Sequence, residues 1–161
     1  MDLLQLTHTQ EVLSSYAVEF RNTYQDNLIR SGRIASGELL NGIEARVIVN
    51  SKEYEVQLTL QDYWRYVEED TKPHWPPKDA ILRWIQIKPV IPKPDRNGRI
   101  PTTKGLAYLI SRKIARFGTK GSHDLEKTKT DLNDRFRTDL EQALALDVSE
   151  SFVRLVKIEF Q

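Results

Sequence analysis

The side chains in this sequence that could do chemistry are few and scattered. The three histidines, His8, His74 and His123, lie far apart. None stands at a metal-ligand spacing from another histidine or a carboxylate. Each therefore reads first as an ordinary loop residue. Glu68-Glu69-Asp70 is an acidic triplet, and paired carboxylates can share acid–base work. A solvated helix end is the commoner meaning of such a run. The chain has no cysteine, which removes disulfides, thiolate metal sites and cysteine nucleophiles together. There is no glycine-rich phosphate loop and no Gly-x-Ser-x-Gly elbow. The residues thus supply no catalytic set, no metal cage and no cofactor loop. A non-enzymatic protein without cofactor or small-molecule substrate is the expectation.

Charge is the stronger signal. The net charge is only +1. From Arg83 to Lys120, however, ten residues are basic (Arg83, Lys88, Lys93, Arg96, Arg99, Lys104, Arg112, Lys113, Arg116, Lys120) against one acid, Asp95. That leaves 14 basic and 22 acidic residues for the rest of the chain. Such asymmetry suits nucleic-acid contact, or head-to-tail docking between copies of one protein. Lys93, Arg96, Arg99, Arg112, Lys113 and Arg116 are the candidate contacts to a neighbouring subunit or to DNA. Aromatic residues lie close by in sequence: Tyr63, Trp64, Tyr66, Trp75 and Trp84. They can stack on bases or fill a core. The core reading is favoured for Trp84, while Trp64 and Trp75, which flank loops, stay open.

The elements that must position these residues follow from periodicity. Leu13, Ala17, Phe20, Tyr24 and Leu28 recur every three or four residues, which predicts a long helix from Thr9 to about Arg30, with Thr9 as N-cap. Ile43–Asn50 and Glu53–Leu60 alternate as two strands joined at Asn50-Ser51-Lys52 into an antiparallel hairpin. Asp62–Glu69 reads as a short helix, stopped by the proline-rich run from Lys72 to Pro77. A second short helix covers Lys78 to about Ile87, with Ala80, Ile81, Trp84 and Ile85 facing inward. Residues 89–103 carry four prolines and the turn pair Asn97-Gly98, which predicts a long exposed loop. Thr103 then caps a helix from Lys104 to Phe117, with Leu106, Leu109, Ile110, Ile114 and Phe117 as its apolar stripe. Gly118 stops it. Asp131–Leu146 is another amphipathic helix, and Phe152–Phe160 alternates as a closing strand. The predicted fold is α+β: a small antiparallel sheet, the hairpin plus the C-terminal strand, packed by the long N-terminal helix and two later amphipathic helices.

Length and composition bound this picture. One domain over residues 1–161 suits the length. A hydrophobic fraction of 39% with 29% charged residues allows a core and solubility. No run approaches the roughly 18 apolar residues of a membrane span. Met1-Asp2-Leu3-Leu4-Gln5 lacks the basic n-region of a secretory signal.

The run Tyr63-Trp64-Arg65-Tyr66-Val67-Glu68-Glu69-Asp70-Thr71-Lys72-Pro73-His74, followed by Pro76-Pro77, Ala80-Ile81 and Trp84-Ile85, resembles the signature of tailed-bacteriophage neck proteins. These are also called head–tail joining, tail-completion or minor tail-component proteins. The order of elements is similar too, over roughly residues 9 to 147. The motif residues are Tyr63, Tyr66, Glu68, Thr71, Pro73 and Trp84. Where the family usually has glycine this chain has Asp70, and aspartate is among the residues that tolerate a positive φ. The resemblance implies a structural virion subunit, assembled in the host cytoplasm. It would form a homo-oligomeric ring between the portal or head-completion adaptor and the tail-terminator or tail-tube proteins. Genome DNA would pass through the ring without sequence-specific contact, and no membrane would be involved. The alternative is a nucleic-acid-binding module or small nuclease-like enzyme using the basic segment 83–120.

Overall fold

A computed structural model of the chain describes residues 6–50, 53–88, 90–94 and 96–159, with side chains as far as Arg154. These residues form an α+β fold of six helices and one antiparallel hairpin. They divide into two compact units. The first holds Met1–Asn27, Ile43–Leu60 and Asp124–Gln161. The second holds Leu28–Gly42 and Gln61–His123.

In the first unit, α1 (Thr7–Arg30, ending in the second unit) runs antiparallel to α6 (Asp124–Glu159). The contacts show the direction, because partners rise in one helix as they fall in the other. Thr9 meets Asp147, Tyr16 stacks on Phe136 at 3.8 Å, Glu19 pairs with Arg135 at 2.9 Å, and Asn27 bonds Thr128 at 2.9 Å. Leu13, Ala17, Tyr24, Leu132 and Ala143 are buried along these helices. Thr128 is buried as well, and its hydroxyl also bonds the Asp124 carbonyl, so this polar position is satisfied inside the unit. The hairpin, β1 (Glu44–Val49) and β2 (Tyr54–Thr59), pairs Val47 with Val56 and Val49 with Tyr54. Tyr54, Val56 and Leu58 are half-buried while Glu55, Gln57 and Thr59 are exposed, as the alternation requires. Asn50 N–H donates to the Glu53 carbonyl across the turn, whose Ser51 and Lys52 lie outside the described residues.

The expected closing strand is not formed. Residues from Phe152 onward continue α6, which runs unbroken to Glu159 and begins at Asp124 rather than Asp131; Phe160 lies outside the described residues. The reason is visible in the residues. No glycine or proline interrupts Asp124–Glu159, and extending an existing helix costs far less than starting a new element. Val148, Phe152, Leu155 and Val156 also satisfy a helical period, so the alternation was ambiguous.

The second unit holds α2 (Glu38–Asn41), α3 (Trp64–Glu68), α4 (Lys78–Ile87) and α5 (Thr103–Phe117), and its buried apolar residues are Leu28, Leu39, Ile85 and Ala107. α4 packs on α5. Thr102, not Thr103, caps α5, its hydroxyl accepting from the Gly105 amide at 3.2 Å. Gly118 ends the helix at φ 71°. Of the inward positions expected on α4, Ile85 is buried, Ala80 is exposed, and Trp84 keeps 38% of its surface open. The described part of the 89–103 loop has no helix or strand before α5; it turns at Asn97-Gly98 and is largely exposed. Pro89 and Asp95 lie outside the described residues.

Candidate functional site

The motif residues fold onto the segment that follows α5. Val67 and Glu68 carbonyls accept from Ser122 and His123 amides at 2.8 and 3.2 Å. Glu68 is buried and its carboxylate accepts from the Ser122 hydroxyl. Thr71 N–H donates to the Thr119 carbonyl at 2.9 Å, Thr119 N–H donates to the Thr71 hydroxyl at 3.0 Å, and the two hydroxyls are 2.7 Å apart. The backbones come so close that only glycine fits opposite. A Cβ on Gly118 would lie 1.9 Å from the Thr71 oxygen, and one on Gly121 would lie 2.0 Å from the Glu68 oxygen.

Asp70 does not take up a positive φ; among the described non-glycine residues His123 does, at 56°. Instead the Asp70 carboxylate accepts from Gly121 N–H at 2.8 Å and sits 3.1 Å from His123 Nε2. The Gly121 amide first, then His123, hold its carboxyl below the usual range. The motif is therefore a clamp between two segments of the second unit. Glu68 and Thr71 take part in it. Tyr66 and Pro73 are exposed, and Tyr63 and Trp84 keep 37% and 38% of their surfaces open.

The six basic candidates are all exposed. Lys93, Arg96 and Arg99 lie on the loop, and Arg112, Lys113 and Arg116 on α5. Arg112 lies over the Tyr108 ring at 5.9 Å, and Tyr108 stacks against Trp75 at 6.2 Å, forming an exposed aromatic–cation column. The expected apolar stripe of α5 only half holds. Leu106, Ile110 and Ile114 are half-buried, while Leu109 is exposed and Phe117 is 75% open at the helix end.

The first unit contributes a cleft of about 430 Å³ along α1 and α6. Its walls include Val12, Tyr16, Phe136 and Leu146, and its rim carries Glu11, Glu19 and Asp139. Near one end, Asp147 is buried, and its two carboxylate oxygens accept from His8 and Thr9 amides at 2.9 and 2.8 Å. Burial pushes this carboxyl up; the amides of Thr9 and His8 outweigh it and hold it below its ordinary value. Thr9 is thus a donor to a distant cap rather than the N-cap of α1. His8 belongs to the first turn of α1, not to a loop, and its Nε2 lies 3.0 Å from Glu150, which raises its pKa.

No helix among the described residues is long and apolar enough to cross a membrane. No protein-family model matches the chain, and neither a curated protein nor a solved structure matches it.

Proposed function

We propose that the chain is a structural subunit of the neck or tail-completion region of a tailed-phage particle, acting by assembly into a homo-oligomeric ring between head and tail. The observation that carries this reading is the balance of apolar surface. Among the described residues ten hydrophobic side chains are buried, whereas eighteen large ones are exposed, spread over five of the helices, β1 and the loops. Extensive exposed apolar surface marks sites finished by partners. The clamp supports the same reading, because it gives the motif a fold-building role that needs no substrate. Purified particles provide the test. Mass spectrometry should find the chain in them, and labelled antibody should mark the head–tail junction. Absence from complete particles would sink the proposal.

The Trp75–Tyr108–Arg112 column favours a second reading, contact with nucleic acid through stacking and phosphates. That reading requires tight binding to single-stranded DNA that weakens steeply with salt. The ring reading requires only weak contact.

A further inference from the structure

We infer that the α1–α6 cleft of one copy receives the cationic end of α5 from a second copy, with Phe117 as its apolar knob. This rests on the reading of the chain as a self-assembling subunit and names the surfaces involved. The two compact units carry opposite charge. The first holds 16 acidic and 9 basic residues, a net of −7; the second holds 7 acidic and 15 basic, a net of +8; the sum returns the +1 of the whole chain. The division is sharpest where apolar surface is exposed. Phe117, 75% open, ends α5 beside Arg116, with Arg112 and Lys113 on the preceding turn. Lys113 and Arg116 have no acidic partner among the described residues. Gly118 at φ 71° turns the chain aside immediately after Phe117, so the ring stands at an end rather than along a packed face.

The cleft is the reciprocal shape. Its apolar walls can take an aromatic ring, and Glu11, Glu19 and Asp139 line them against Arg135 and His8, the imidazole of which is paired with Glu150. Arg135 already pairs with Glu19 and lies 3.7 Å from Asp139, so the rim keeps an acidic excess. An apolar centre with opposite charges around it is the usual build of a specific contact. Because knob and cleft are different surfaces, the contact is head-to-tail, which is the kind that closes into rings or runs into filaments.

The chain has no cysteine, so single introduced thiols report this contact cleanly. Two full-length variants, Lys113→Cys on the cationic face and Ser15→Cys on the cleft, are mixed and oxidised. Disulfide dimer should form about tenfold faster than in a mixture of Lys113→Cys with the surface control Ser36→Cys, because docking raises the local thiol concentration. Adding Arg112→Glu and Arg116→Glu to the first chain should abolish the excess rate. Adding Glu11→Lys and Glu19→Lys to the second should then restore it. Cross-linking no faster than the control, or indifferent to the single-sided reversals, overturns the inference. Membership of the particle, measured separately, decides the underlying reading: a chain present at the neck but lacking this cross-link leaves the reading intact and this contact wrong.

Discussion

Asp147 offers the most direct test of how the first unit is held together. It lies 138 residues from Thr9 in sequence, yet both of its oxygens serve the first turn of α1. A helix start leaves its first amides without partners, and a carboxylate there gains from both hydrogen bonding and the helix dipole. Replacing Asp147 by alanine strands a buried amide at Thr9 and a part-buried one at His8. A charge-assisted bond to a buried donor is worth roughly 1.5–3 kcal/mol, and loss of a capping side chain costs about 0.5–2 kcal/mol. Because these overlap, Asp147→Ala should destabilise by about 2–4 kcal/mol. Asp147→Asn retains one acceptor oxygen and should lose about half of that. Urea unfolding followed by circular dichroism would measure both.

The pH dependence makes the test sharper. The folded-state pKa of Asp147 is depressed, so its contribution is fully present above the ordinary carboxylate value of 3.8 and is lost as pH falls through the lowered value. The stability gap between the original chain and Asp147→Asn should therefore be constant around neutrality and close in strong acid. Two variants within about 0.5 kcal/mol of the original at neutral pH, the usual range for surface substitutions, would refute the capping argument. A gap that persists unchanged in acid would show that lost packing, not the carboxylate, is responsible.

Three further outcomes follow from the same geometry. Gly118→Ala places a methyl 1.9 Å from the Thr71 oxygen at a positive φ, so it should break the clamp and cost upward of about 3 kcal/mol, read as loss of soluble folded protein or a much lower melting temperature. Ser111→Ala should be neutral or stabilising by up to about 1 kcal/mol, because the buried Ser111 hydroxyl has no hydrogen-bond partner among the described residues and alanine is the better helix former; a loss beyond that size in thermal unfolding would mean the hydroxyl is bonded. The His8–Glu150 pair should stabilise only in acid: the raised His8 pKa gives a contribution present below 6.5 and lost as pH rises through the raised value, so Glu150→Gln should lower the melting temperature more at mildly acidic than at alkaline pH, where only its exposed pair with Arg154 is lost.

The parts of the fold governed by neighbours in sequence could be read from sequence. α1 shows its apolar period, β1 and β2 their alternation, and α4 its proline-led start, and each lies within a few residues of the expected limits. What could not be read depends on distant partners. Asp147 is one acid among many on a polar helix until α1 is laid antiparallel against α6. The Thr71–Thr119 bridge joins two short loop segments with no pattern of their own. Phe117 fitted the apolar stripe of α5 by spacing, yet it is the last residue before a glycine turn, and a helix end has half as many neighbours to cover it. That position was the available signal, and the same reasoning applies to Trp84, which lies in the last turn of α4.

The length of α6 brings these points together. At 36 residues it spans about 54 Å, against about 36 Å for the 24 residues of α1. With Asp147 fixed at the first turn of α1, the remaining residues to Glu159 run about 18 Å past that anchor. Val148, Phe152 and Val153 lie on this stretch, each about half or more exposed. One face of this stretch stays packed, since Glu150 pairs with His8 and Ser151 is buried, while its apolar outer face is open. The first unit thus presents apolar surface in two places, the acid-rimmed cleft and the overrunning end of α6. The cleft has a charge-matched counterpart within the chain, at Phe117 of the second unit. Between Val148 and Arg154 the charged side chains are Glu150 and Arg154, which lie 3.7 Å apart and offset each other, so the electrostatic argument that pairs cleft with knob does not extend to this described stretch. Head-to-tail contact through cleft and knob would therefore leave Val148, Phe152 and Val153 outside the interface.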